Sequence, residues 1–119
     1  MNNLTMTNEY GQVAIDHEVI LNIAGAAAME CYGIVGMAAK DMKYGFARLL
    51  KMESQTKGIS LTAQDNAIIL DIHVIVLYGT SIAVICESLI DTVKYKVEEA
   101  TGLKVLCVNV FVDGLKLDE

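Results

Sequence analysis

From Ala67 to Tyr78 the chain alternates without a break. Ile68, Leu70, Ile72, Val74, Val76 and Tyr78 hold the even positions, and Ile69, Asp71, His73, Ile75 and Leu77 the odd ones. Successive side chains on a strand point to opposite faces, so this segment reads as a strand with one wholly apolar face and one mixed face. An apolar face of that length has to be covered, and the chain supplies the cover at once. Thr80 or Ser81 suits a helix N-cap. Ile82, Ile85, Cys86, Leu89, Ile90, Val93 and Val97 then recur at three- and four-residue steps, opposite Glu87, Asp91, Lys94 and Glu98. Gly102 is placed to end that helix in the left-handed conformation. A further strand follows from Leu103 to Val112, with Leu106, Val108, Val110 and Val112 on one face and Val105, Cys107, Asn109 and Phe111 on the other. Asp113-Gly114 reads as a turn before Leu115 and Leu117.

The first half repeats the theme in shorter form. Residues 1–8 read as a frayed end. Val13 and Ile15 alternate with Gln12 and Ala14 as a short strand, and Asp16 is set to cap a helix, with Glu18 favouring its positive end. Val19, Ile20, Ile23, Ala26, Ala27 and Cys31 keep helical spacing; Gly25 within the small-residue run Ala24–Ala28 allows close packing. Gly33 ends the helix, and Ile34, Val35 and Met37 form a short strand. Ile59, Leu61 and Ala63 alternate with Ser60, Thr62 and Gln64, and Asp65-Asn66 turns the chain into the long strand as a hairpin. Between them, residues 40–57 hold Lys40, Lys43, Arg48, Lys51 and Lys57 against Asp41 and Glu53, with Phe46, Leu49 and Leu50 as the apolar stripe of a short helix. The order gives an α+β two-layer sandwich, a mixed sheet of about five strands with two main helices on one face. It forms a single domain over residues 9–117.

Several function classes fall away on composition. The chain has 119 residues and a net charge of −6, so it repels phosphate backbones and general nucleic-acid binding is disfavoured. Its three cysteines, Cys31, Cys86 and Cys107, lack CxxC spacing and sit in apolar surroundings, which fits neither a disulfide framework nor a zinc ribbon and suits a reducing cytoplasm. No signal peptide is read at the polar start, and the longest apolar stretch, His73 to Cys86, is broken by Gly79, Thr80 and Ser81. It falls short of the roughly 20 residues a spanning helix needs.

The mixed strand face carries the functional argument. With helices on one side of the sheet, the other side bears Ile69, Ile75, Leu77, Val105, Cys107 and Phe111, too much apolar surface to leave wet in a monomer. Ile75, Leu77, Val105, Cys107 and Phe111 are accordingly the expected interface, and a homo-oligomer the expected state. Lys40, Lys43, Arg48 and Lys51 make a second contact surface, for an acidic partner or anionic lipid headgroups, although a solvated helix face accounts for them as well.

Catalytic readings are weaker. Asp71 and His73 project from one face, and Cys107 and Asn109 face them if the two strands are neighbours, which would allow a Cys–His pair or part of a metal site. A few hydrogen-bonded polar groups at a subunit contact explain the same residues. Glu98-Glu99 reads as a solvated pair. Gly33-Ile-Val-Gly36 matches the GxxG of KH domains, but no Lys or Arg lies between the glycines, and a tight helix-to-strand turn is the better account. No catalytic constellation, cofactor or metal set emerges.

Two stretches resemble a known family, the alkaline shock proteins or envelope stress response proteins of Gram-positive bacteria. The residues are Gly11, Val13, Ile15, Val19, Ile20, Ile23, Ala24, Ala27, Gly33, Val35, Gly36 and Met37, then Thr101-Gly-Leu103, Val108, Val110, Val112 and Gly114. The chain looks most like short members made of the domain alone. The resemblance implies a small non-enzymatic cytoplasmic protein of cell-envelope stress homeostasis. Such proteins act by self-association and protein contacts, some of them at the inner membrane surface through a membrane-anchored relative. It also implies an alternative, an accessory protein for a dihydroxyacetone-kinase-like or fatty-acid-kinase-like partner. An RNA-binding module using residues 33–57 is the remaining alternative. No catalytic residue carries over.

Overall fold

The computed structural model describes residues 3–38, 58–64 and 67–117. Eight elements follow in order: β1 (Asn3–Asn8), β2 (Gly11–Asp16), α1 (His17–Met29), β3 (Ile34–Met37), β4 (Ile59–Gln64), β5 (Ala67–Leu77), α2 (Ile82–Thr101) and β6 (Lys104–Lys116). The expected helix over residues 40–57 and the expected turn at Asp65-Asn66 lie outside the described residues.

The long alternating segment is the centre of the sheet. β5 pairs along its whole length with β6, in parallel. Its other flank is shared by two antiparallel partners, β4 along Ala67–Ile72 and β3 along Val74–Val76. The hairpin β4–β5 and the mixed sheet are as the sequence requires; this sheet has four strands, and β1–β2 form a separate antiparallel pair. A parallel pair needs a long crossover, which α2 provides.

The even face of β5 is the core. Ile68, Leu70, Ile72, Val74 and Val76 are fully buried, and α2 lays Ile85, Leu89, Val93, Val97 and Thr101 toward them, one side chain per turn. α1 adds Ile20 and the small residues Ala24, Ala27 and Ala28, which bring the two helices together. Asp16 caps α1 as its chemistry demands, its carboxylate accepting from the Glu18 N–H at 3.0 Å.

The Thr101-Gly-Leu103 stretch is a helix stop made from three separate interactions. Gly102 sits at φ 77° and donates its N–H to the Glu98 carbonyl. The Thr101 hydroxyl donates to the Val97 carbonyl at 2.7 Å and accepts the Leu103 N–H at 3.1 Å. Leu103 is then buried as the chain enters β6. Glu98 completes the junction by accepting the Val105 N–H at 2.9 Å and Lys94 Nζ at 3.1 Å. Those two bonds favour the carboxylate and hold Glu98 below its usual range, so it is not the merely solvated group expected from the sequence.

Three expectations need correction. Residues 3–8 form a strand instead of fraying, because Leu4 buries into the core while β1 pairs with β2 from Asn3↔Asp16 to Asn8↔Gly11. Asp113-Gly114 does not turn the chain: β6 runs on to Lys116, with Asp113 as the extra residue of a β-bulge between the pairs Val74↔Val112 and Ile75↔Gly114. A second bulge at Leu106, between Ile68↔Val105 and Ile69↔Cys107, switches the faces at the start of β6. Val105 therefore lies fully in the core and Leu106 is half exposed, the reverse of simple alternation.

Candidate functional site

The odd face of β5 looks away from both helices, and the four strands of the sheet build it in rows. Ile69 lies between Thr62 of β4 and Cys107 of β6, Asp71 between Ser60 and Asn109, and Ile75 between Gly36 of β3 and Gly114. His73 is paired with Phe111, and Leu77 with Lys116.

Two pairs of polar side chains in this face are bonded to each other. Asn109 Nδ2 donates to Asp71 Oδ1 at 2.8 Å. His73 Nδ1 lies 2.7 Å from Asp113 Oδ2, an Nδ1–H donating to a carboxylate, and both side chains are mostly covered. The imidazole also stacks on Phe111, ring centroids 4.7 Å apart and planes 18° from parallel. The bulge produces this arrangement, since the extra residue brings Asp113 back beside β5. The apolar groups divide by strand. Cys107 and Phe111 are exposed, Ile69 and Leu77 are half-buried, and Ile75 is covered to 7%.

The five interface residues expected from sequence therefore separate. Leu77, Cys107 and Phe111 lie on the open face with surface available. Ile75 is on that face but buried, and Val105 belongs to the core on the opposite side, carried there by the bulge at Leu106. Lys40, Lys43, Arg48 and Lys51 lie outside the described residues. Asp113 was missed by sequence reasoning, because Asp-Gly is the composition of a turn as well as of a bulge.

Chemistry of the catalytic kind is poorly served here. Asp71, His73, Cys107 and Asn109 do share a face, but Cys107 is opposite Ile69, four residues along from the partner of His73. At about 3.3 Å per residue that is roughly 13 Å, far beyond thiol–imidazole contact. Burial pushes the Cys86 thiol up from its usual value, away from thiolate chemistry. Among the described residues no three His, Cys, Asp or Glu side chains converge as a metal set. Two open hollows of about 400 and 510 Å³ lie beside the β1–β2 hairpin, lined by residues such as Met6, Thr7 and Tyr10 or Met6, Gly102 and Lys104, and neither gathers acid–base groups. Gly36 of the GxxG run is buried inside β3, not on a loop that reaches outward. No helix of the described residues is long and apolar enough to cross a membrane.

The chain matches known proteins over nearly its whole length. The model of the alkaline shock protein 23 family, described by a cell envelope-related function, matches residues 5–117. An uncharacterized Bacillus subtilis protein, YloU, is 38% identical over 115 residues, covering 96% of each chain. An uncharacterized protein of Streptococcus pyogenes is 32% identical over 108 residues, 90% of this chain and 89% of the relative. A second Bacillus subtilis protein, YqhY, is 28% identical over 108 residues, 91% of this chain and 79% of its own. No solved structure matches.

Proposed function

The chain belongs to the alkaline shock protein 23 family, of cell envelope-related function, and from that premise we propose that it is a non-enzymatic contact protein whose working surface is the open face of its sheet. One observation carries the reading. Two polar pairs of that face are bonded, Asp71 to Asn109 and His73 to Asp113, while Cys107 and Phe111 remain exposed beside them. Covering a polar group is costly only when its bonds are lost. This face keeps those two bonds when a partner covers it, which lowers the cost of excluding water from it.

The occupant is a second copy of the chain. Eleven residues of β5 span roughly 36 Å and three strands roughly 14 Å, on the order of 500 Å² per copy. Two copies bury about 1,000 Å², the lower bound for a specific interface, which makes the dimer weak and concentration-dependent. A protein that works this way serves the envelope by assembling and by holding other proteins, not by turning over a substrate.

Sedimentation velocity across micromolar concentrations tests the reading. The native chain should shift from monomer to dimer, while Phe111→Asp should stay monomeric with unchanged circular dichroism. Cys107→Lys, at an exposed position where folding has little at stake, should do the same. A native chain that stays monomeric throughout, or variants that associate as the native chain does, would refute it.

A further inference from the structure

Two side chains of the open face have one atom held and the other left over. His73 is fixed by Asp113 at Nδ1 and by Phe111 against its ring. With the proton on Nδ1, Nε2 is a lone-pair donor on the opposite side of the ring, aimed away from Asp113. Asp71 is fixed by Asn109 at Oδ1, and among the described residues no donor takes Oδ2. The two residues are separated by one position on β5, so both project from the same face with Cα atoms about 6.6 Å apart. An imidazole whose far nitrogen donates to a carboxylate is the recurrent support of a metal-ligating histidine, and a hydrogen-bonded carboxylate is its counterpart.

One chain stops short of a site. No third His, Cys, Asp or Glu joins these two as a metal set among the described residues, and Cys107, opposite Ile69, lies roughly 13 Å from His73 along the strand direction. Zinc takes four ligands at about 2.0–2.2 Å from nitrogen and oxygen. A two-fold contact places the same patch of each copy against the other, so every donor is supplied twice. Two donors become four, the number the ion requires, and its two positive charges balance the two Asp71 carboxylates. The same neutralisation offsets the repulsion between chains of net charge −6.

We propose that His73 and Asp71 form half of a zinc-type divalent site, which a second copy of the chain completes across the open sheet face with its own His73 and Asp71. His73 binds through Nε2 and Asp71 through Oδ2. Asp113 and Asn109 orient them without touching the metal. The inference rests on the open face being the contact between copies, and it makes that contact responsive to metal.

The test is zinc titration of the untagged chain, read by calorimetry and by sedimentation velocity in zinc or in EDTA. The expected result is about one zinc per two chains, with a dimer in zinc that weakens in EDTA. His73→Ala and the near-isosteric Asp71→Asn should lose the zinc response while keeping the native circular dichroism. Asp113→Asn should weaken zinc binding about 10- to 100-fold, the usual cost of losing such an orienting group. A dimer of equal strength in zinc and EDTA overturns the metal bridge and leaves the sheet-face contact standing. A monomer under both conditions overturns both. Zinc bound one per chain, or bound unchanged by His73→Ala, overturns the bridge as well.

Discussion

Gly33 combines a left-handed backbone with a close side-chain neighbour, and replacing it with Ala gives a prediction with two separable costs. Gly33 sits at φ 89° in the turn between α1 and β3, and its carbonyl accepts the Leu77 N–H at 2.9 Å. A side chain in the left-handed region costs about 1–2 kcal/mol. The added Cβ would also come within 2.9 Å of Ile85 Cγ1 and closer still to Cδ1. Ile85 is buried and stiff at its branched Cβ, so relief requires an off-rotamer side chain or a backbone shift, about 1–3 kcal/mol more. The sum is about 2–5 kcal/mol, which lowers the melting temperature of a chain this size by about 8–20 °C. Chemical and thermal denaturation of Gly33→Ala, Ile85→Ala and the double variant separate the terms. With Ile85 truncated, Gly33→Ala should cost only its backbone share of about 1–2 kcal/mol. A Gly33→Ala protein as stable as the native one, or a cost identical in both backgrounds, would show that Ile85 does not pack over the turn.

Two further outcomes test other parts of the structure. Val105→Ala should destabilise by about 2–3 kcal/mol because it empties core space, whereas Leu106→Ala should cost less than about 1 kcal/mol; denaturant titration showing the reverse order would mean that the bulge at Leu106 is absent. Glu98 has its carboxyl held low by the Val105 N–H and Lys94, so its contribution to stability is present above the ordinary glutamate range and disappears as pH falls through its lowered value. Glu98→Gln should therefore narrow the gap between stability at neutral and at acidic pH, measured by denaturation at both; an unchanged gap would contradict the role given to Glu98.

The elements with strong periodicity were legible in the sequence. β5 and α2 declare themselves by long, unbroken patterns whose central apolar positions, Ile68 to Val76 on the even face and Ile85, Leu89, Val93 and Val97, end in the core, and Asp16 and Gly102 mark ends because their local chemistry admits few alternatives. The cooperation of Asp71 with Asn109 could be anticipated once β5 and β6 were taken as neighbours. What could not be read came from insertion and context. A β-bulge adds one residue without changing composition, so Val105 and Leu106 exchanged faces, and Asp113-Gly114, with the signature of a turn, instead placed a carboxylate on His73. The strand at Asn3–Asn8 did carry a weak signal, Leu4 and Met6 alternating with Thr5 and Thr7. A run that short gains its stability from pairing with β2 and from burial of Leu4, and neither is local.

The distance between two copies of Cys107 tests the central claim most directly. Nitroxide labels on Cys107, with Cys31→Ser and Cys86→Ser removing the other thiols, report that distance by pulsed electron resonance. Two sheets packed face to face lie about 10 Å apart, so with label linkers included the separation should fall under about 30 Å and vanish in Phe111→Asp. Labels that show no inter-chain distance at concentrations where the chain sediments as a dimer would place the contact elsewhere and contradict the account.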